Sequence, residues 1–251
     1  MVLRLLEQKL TFKPTRVDYG GLKAFSPQRV RFGHEFGLDL DGAFIDRGAS
    51  TVVLFIHGNK HNLTRFEDHY ALFSELGLSF FCFDYPGYGQ SSGSPSEEVL
   101  YAAARAALAH LRHSLGAAPN DIVVYGCSMG GAVAIELLQS APAKALITES
   151  TFTNSWEMAR HLYPLLPVWR LLPKRFANDE RIGKLKMPLY MLHGDADRVV
   201  PVSMAHRLFS LAPAGTELQI VPGANHVNSV ADGGAALREA LTDYQIGRAH
   251  G

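Results

Sequence analysis

The sequence holds only two cysteines in 251 residues, Cys82 and Cys127, and each stands inside an apolar, β-like run. That excludes a dense disulfide framework and any cysteine-based metal spacing, and leaves two buried free thiols as the expectation. Charge of one sign is also missing: 24 Lys and Arg balance 24 Asp and Glu. The chain as a whole therefore has no basic excess of the kind that binds phosphate backbones or anionic membranes unaided, and nucleic acid is not an expected partner. No stretch approaches the ~18 consecutive apolar residues that span a bilayer. The opening "MVLRLLEQKLTFKP" is interrupted by Arg4, Glu7 and Lys9, so it lacks the apolar centre of a signal peptide. Leu3, Leu5, Leu6 and Leu10 offer no more than a weak amphipathic helix there. The expectation is a soluble, cytoplasmic protein without internal repeats, low-complexity runs or linkers.

What is present is a large stock of core-forming residues: 47% of the chain is hydrophobic and 19% charged. One α/β domain of this length can bury a single large core. From residue 51 onward, short β-branched or aromatic runs alternate with longer segments of helical period, which points to a mostly parallel sheet flanked by helices. The runs "TVVLFI" (51–56), "SFFCFD" (79–84), "DIVVYG" (121–126), "KALIT" (144–148), "PLYMLHG" (188–194) and "TELQIV" (216–221) read as strands. Most are apolar on both faces, as buried parallel strands are. Leu63, Phe66, Tyr70 and Phe73 share one helical face, and Leu100, Ala104, Ala107, Leu108, Leu111 and Leu115 share another. Ahead of these, "RVRF" and "LDLDGAF" suggest an antiparallel hairpin at the leading edge of the sheet. The alternation fails between about 150 and 186, where "STFTNSWEMARHLYPLLPVWRLLPKRFANDERIGKLK" reads as a lid insertion in an otherwise single domain.

The pattern G-x-S-x-G, expected around an activated serine, occurs twice: Gly126 to Gly130 around Ser128, and Gly89 to Gly93 around Ser91. Such a serine must stand on a sharp turn from strand to helix, with the helix N-terminus aimed at the reaction centre. Ser128 meets this condition, since a strand ends at Gly126 and proline-free helical sequence starts by about Met129. Ser91 is followed by Gly93 and Pro95 before helical period resumes, and reads as part of a surface loop in which Ser94 caps the next helix and Pro95 opens it.

A serine hydroxyl needs a base to take its proton, and the base needs a carboxylate to orient it. After "PLYMLHG" the sequence offers Asp195 and Asp197, and after "TELQIVPG" it offers His226. The order Ser, Asp, His suits this sheet topology. Asp197 stands further from its strand and is the preferred acid, while Asp195 is better placed to cap the turn. Glu149, at the end of "KALIT", is the reserve. The oxyanion of an acyl-transfer intermediate needs backbone N–H donors, for which Met129 and Asn59 of "HGNK" are the candidates. His57 reads as a structural brace of that loop without metal-ligand company. Trp156, Tyr163, Leu166 and Trp169 are the candidate substrate-binding residues of the 150–186 segment, with Met158, Leu162, Leu165 and Leu171 nearby, although such residues can equally pack the segment onto the sheet.

Taken together and in order, "HGNK", "FDYPGYGQSSGSPSEE", "GCSMGG", "HGDADRVVP" and "GANHVN" resemble the α/β-hydrolase superfamily over residues 25–245. The chain is similar to its small-lid serine hydrolases, the α/β-hydrolase-domain esterases and protein depalmitoylases. The resemblance implies a triad of Ser128, Asp197 and His226 and a cofactor-independent esterase or thioesterase acting on a small-molecule acyl substrate. Haloalkane dehalogenases share the "HGN" loop but use an aspartate nucleophile, which Ser128 argues against. A peptidase or acyltransferase would use the same three residues, and a non-catalytic binding module of the same fold is the competing class. Neither a metal nor a cofactor is expected, and oligomeric state is not legible.

Overall fold

The computed structural model describes residues 11–226, 234–235 and 237–242. The leucines at 3, 5, 6 and 10 lie outside the described residues.

Eight strands form one sheet: β1 (Gln28–Gly33), β2 (Asp39–Ile45), β3 (Val52–Ile56), β4 (Ser79–Phe83), β5 (Ile122–Cys127), β6 (Ala145–Glu149), β7 (Leu189–Gly194) and β8 (Glu217–Val221). Their order across the sheet is β8-β7-β6-β5-β3-β4-β2-β1. β1 and β2 form the expected antiparallel hairpin at one edge, β2 also pairs antiparallel with β4, and every other pairing is parallel. A second, two-stranded pairing joins Lys13–Pro14 to Lys60–His61.

The central strands are buried along their whole length, and alternate residues enter two separate cores. Leu54, Ile56, Phe81, Phe83, Val124 and Leu146 face one core, which α2 (Glu97–His113), α3 (Met129–Leu137) and α5 (Val202–Leu211) cover. Val53, Phe55, Phe80, Val123, Tyr125 and Ile147 face the other, where α1 (Glu67–Glu75) packs through Tyr70 and Phe73. This two-sided burial is why these strands read as continuous apolar runs rather than alternating ones.

Three local expectations need correction. Leu63 and Phe66 precede α1 instead of lying on it, because the Asn62 side chain accepts the Thr64 N–H and turns the chain first; both still reach the core of that face. α2 is capped by Ser96, whose Oγ accepts the Val99 N–H, and not by Ser94. Pro95 belongs to the preceding loop, packed against Gly87. Leu115 likewise falls beyond the end of α2, though it still packs on the core.

Strand order reverses at β3: its chain neighbour β4 lies on one side and β5 on the other. In open parallel sheets the crevice at the carboxyl ends of such strands is where ligands bind. His57, Gly58 and Asn59 follow β3 at that point, and Ser128 follows β5.

Candidate active site

Ser128 holds φ +55° and ψ −115° between β5 and α3, a left-handed conformation that costs an L-residue of order 1–3 kcal/mol and persists only where its surroundings enforce it. They do so with named bonds. Its N–H donates to the Glu149 carbonyl at 2.7 Å, and its carbonyl accepts from the Gly131 N–H at 3.0 Å and the Thr151 hydroxyl at 3.3 Å. Gly130 lets α3 start against β3, since a Cβ on it would lie 1.9 Å from the Ile56 oxygen. Ser128 is thereby only 9% exposed, at the N-terminus of a helix whose first N–H groups have no intrahelical acceptor.

The acid and histidine loops lie side by side beyond β7 and β8. The Asp195 N–H donates to the Val221 carbonyl at 3.2 Å and the Ala196 N–H to the Ala224 carbonyl at 3.1 Å. Gly194 permits the approach, since a Cβ there would sit 2.1 Å from the Ala224 oxygen. His226 Nδ1 lies 2.8 Å from Asp197 Oδ2, and its Nε2 lies 3.1 Å from Ser128 Oγ. The three residues, drawn from positions 29 and 98 apart in the chain, form one hydrogen-bonded row. With Nδ1–H donating to the carboxylate, Nε2 is the acceptor for the serine hydroxyl.

Asp197 is buried, and its Oδ1 accepts the N–H groups of Val199 and Val200 at 2.8 and 2.9 Å. Burial pushes its carboxyl up, but hydrogen bonds from His193 and His226, the nearby His226 charge and the Val200 N–H outweigh it and hold the group well below the usual carboxylate range. His193, buried on β7, stands 3.4 Å from Asp197 and 2.8 Å from the Val200 carbonyl, tying the acid loop to its strand. Asp195 accepts the Gly223 N–H at 2.7 Å and so braces the turn before the histidine.

Glu149 is not in the row. Its carboxylate accepts from the Tyr125 hydroxyl at 2.9 Å and lies 2.8 Å from His69 Nε2 on α1. Burial raises this carboxyl too, yet His69, Tyr125 and the His226 charge leave it lowered. Among the described residues, His69, Cys127 and Glu149 are the one group whose donor atoms, within 4.8 Å of one another, have metal-binding types. Those atoms are already engaged: the carboxylate with His69 and Tyr125, and the Cys127 thiol, pushed well up by burial and by Glu149, in its protonated form beside it. Both cysteines are free and buried.

On the other side of Ser128, a Cβ on Gly58 would lie 3.3 Å from the serine Cβ, so the loop after β3 borders the Ser128 turn. Two residues that sequence reasoning missed fix that loop. Tyr85 donates its hydroxyl to the His57 carbonyl and Tyr88 to the Asn59 carbonyl, each at 2.9 Å. The Asn59 side chain accepts from the Lys13 N–H at 3.1 Å and donates to the Thr11 carbonyl at 2.6 Å. His57 Nδ1 lies 2.7 Å from the Gly58 carbonyl, so the ring braces the loop from within. The tyrosines of "DYPGY" were visible as a motif; the signal that they brace the loop after β3 was their aromatic hydroxyls next to a glycine turn.

Ser91 is fully buried, against the expectation of a surface loop. Its Oγ donates to the Asp84 carbonyl at 2.7 Å and accepts the Asp41 N–H at 2.9 Å, stitching the loop after β4 to β2. The glycines around it raise the expectation of exposure, while the two backbone groups it satisfies decide its place. Of the candidate substrate residues, Trp156, Tyr163 and Leu166 lie on the outer surface, and Trp169, half-buried, meets Trp156 with ring centres 6.3 Å apart.

Residues 53–185 match the family model described as "Alpha/beta hydrolase family". An uncharacterized protein of Mycobacterium tuberculosis is 34% identical over 203 residues, covering 79% of this chain and 72% of that one. The lysophosphatidylserine lipase ABHD12 of Danio rerio is 34% identical over 199 residues, which cover 68% of this chain but 51% of that protein. Among solved structures, the Pyrococcus furiosus esterase Pf2001 superposes with a TM-score of 0.78 at 20% identity, over 93% of this chain and 96% of that one. The sheet order, the turn at Ser128 and these likenesses agree: the chain belongs to the alpha/beta hydrolase family.

Proposed function

We propose that this protein is a serine hydrolase that cleaves carboxylic esters or thioesters through an acyl-enzyme. The observation that carries the reading is the position of His226, within hydrogen-bond distance of Ser128 Oγ on one ring nitrogen and of the buried Asp197 on the other. In this reading Ser128 Oγ attacks the carbonyl carbon while its proton passes to His226 Nε2. Asp197, held ionised, orients the imidazole and stabilises its cation. The tetrahedral oxyanion is met by the N–H groups of Met129 and Asn59, each such donor being worth about 3 kcal/mol. Collapse expels the alcohol or thiol, which takes the proton from His226. Water then attacks the acyl-serine with His226 again as base, releasing the acid and restoring Ser128. No cofactor enters any step.

Residues 150–186 act as the lid of a single domain; of its four candidate substrate residues the half-buried Trp169 is the one kept beside the acyl group, since Trp156, Tyr163 and Leu166 lie on the outer surface. Ester chemistry is supported by what the similar proteins are called, an esterase in one case and a lysophosphatidylserine lipase in another. The test is covalent labelling by a fluorophosphonate together with a chain-length series of nitrophenyl esters and matched thioesters. Wild type should label and turn over, and Ser128→Ala should do neither. Equal labelling of the alanine variant would remove Ser128 from the mechanism.

A further inference from the structure

Residues 158–175 read "MARHLYPLLPVWRLLPKR" and contain four cations, Arg160, Arg170, Lys174 and Arg175, with His161 and no carboxylate. In a chain of zero net charge this is a local concentration of one sign. Every residue from 161 to 167 is exposed. Leu165 is 93% exposed, Leu171 77%, Leu166 58% and Leu162 53%. Scattered exposed leucines need no explanation, but four within ten residues form a patch of the kind that marks an interaction surface.

The patch is one local unit. Trp156 on α4 (Ser155–Leu162) donates its ring N–H to the Leu172 carbonyl at 2.9 Å, joining the two arms of the segment. Arg160 and Arg170 flank the Trp169 ring at 5.8 and 5.0 Å, so cations and an aromatic border the leucines. Neither arginine has a carboxylate partner among the described residues, whereas Lys174 pairs with Asp179 and Glu180, and Arg175 with Glu97. His161 lies 3.2 Å from the Arg198 carbonyl, so the segment meets the loop that carries Asp197, on which Val199 is 44% exposed.

Side chains this exposed project outward and do not line a groove. A two-fold contact with a second copy would set the same cations against each other. An anionic bilayer complements both properties, apolar tips entering the acyl boundary and arginines meeting phosphate. We propose that residues 158–175 are a docking surface for an anionic lipid bilayer, with Leu162, Leu165, Leu166 and Leu171 inserted and Arg160 and Arg170 at the headgroups. The docking goes beyond the hydrolase reading and does not depend on it, since Ser128→Ala keeps the whole surface.

The test is co-sedimentation of the full chain, wild type and Ser128→Ala, with vesicles of phosphatidylcholine alone and of equal parts phosphatidylcholine and phosphatidylglycerol. Both proteins should sediment with the mixed vesicles and far less with the neutral ones, and salt should release them. Leu165→Ser/Leu171→Ser should reduce binding to the mixed vesicles by about tenfold or more, while keeping the melting temperature of wild type. Arg160→Gln and Arg170→Gln should each reduce it by about fivefold. Failure of wild type to sediment, binding that ignores lipid charge, or unchanged binding by the leucine variant would overturn the proposal. So would a dimer of wild type in ultracentrifugation that the leucine variant abolishes, with no protein on the vesicles, because the patch would then cover a second copy.

Discussion

Gly130 meets the Ile56 carbonyl so closely that a Cβ would stand 1.9 Å from its oxygen. The contact joins the first turn of α3 to the strand beside it, and neither partner can yield, since one is helix backbone and the other a strand carbonyl in mid-sheet. Gly130→Ala should therefore destabilise the fold by about 3 kcal/mol or more, beyond the ordinary cost of overpacking. Thermal unfolding checks this, and an unchanged melting temperature would mean that the turn can relax away from β3.

The two aspartates of the β7 loop should separate by kind of damage. Asp197→Asn should lower kcat by about four orders of magnitude while the fold survives, because the amide leaves the imidazole wrongly oriented and its cation uncompensated. Asp195→Ala should leave kcat within a few-fold and lose about 1 kcal/mol of stability, because a methyl group cannot accept the Gly223 N–H. Steady-state kinetics beside denaturant melts distinguish them, and equal kcat losses would contradict the assignment.

Tyr85→Phe and Tyr88→Phe each leave a carbonyl of the loop after β3 without its hydroxyl donor. Each should cost about 1–3 kcal/mol of stability. If the loop supplies an oxyanion donor, kcat should fall with little change in KM, since a misplaced donor weakens an interaction made in the transition state. A rise in KM alone would place these tyrosines in substrate binding instead.

Asp197 and Glu149 both have carboxyls lowered in the folded state. Over the acid range the folded protein then binds fewer protons than the unfolded chain, so both contribute stability that is fully present above the ordinary carboxylate range, about pH 4, and is lost progressively as pH falls below it towards the lowered folded-state values. Glu149→Gln should flatten the acid limb of stability against pH. Urea melts between about pH 6 and pH 3 measure it, and an acid limb as steep as that of wild type would show that Glu149 is not held ionised by His69 and Tyr125.

Much of this architecture was legible because buried parallel strands are apolar on both faces. "TVVLFI" and "SFFCFD" differ from β3 and β4 only at their ends. Ser128, Asp197 and His226 were legible as positions at strand ends, and the structure brings the three together. What was not legible depends on partners distant in sequence. Ser91 reads as a loop residue until Asp41, 50 residues earlier, supplies the N–H that its hydroxyl accepts. Glu149 could stand as a reserve acid only until His69, 80 residues away, took its carboxylate. The leucines of 162–171 read as pocket or packing because apolar residues are expected inside, and nothing local in the sequence marks them as projecting outward.

The double engagement of Glu149 reaches further than its own site. Its carbonyl holds the Ser128 N–H, and its side chain holds His69 on a helix across the opposite face of the sheet. Random mutagenesis scored only by turnover should therefore return α1 variants that mimic damage at Ser128, through the link that Glu149 makes between them. Sorting such variants by whether added conservative partners at Glu149 restore activity would separate a transmitted displacement from lost chemistry, and would show how far through the sheet a strained serine depends on its neighbours.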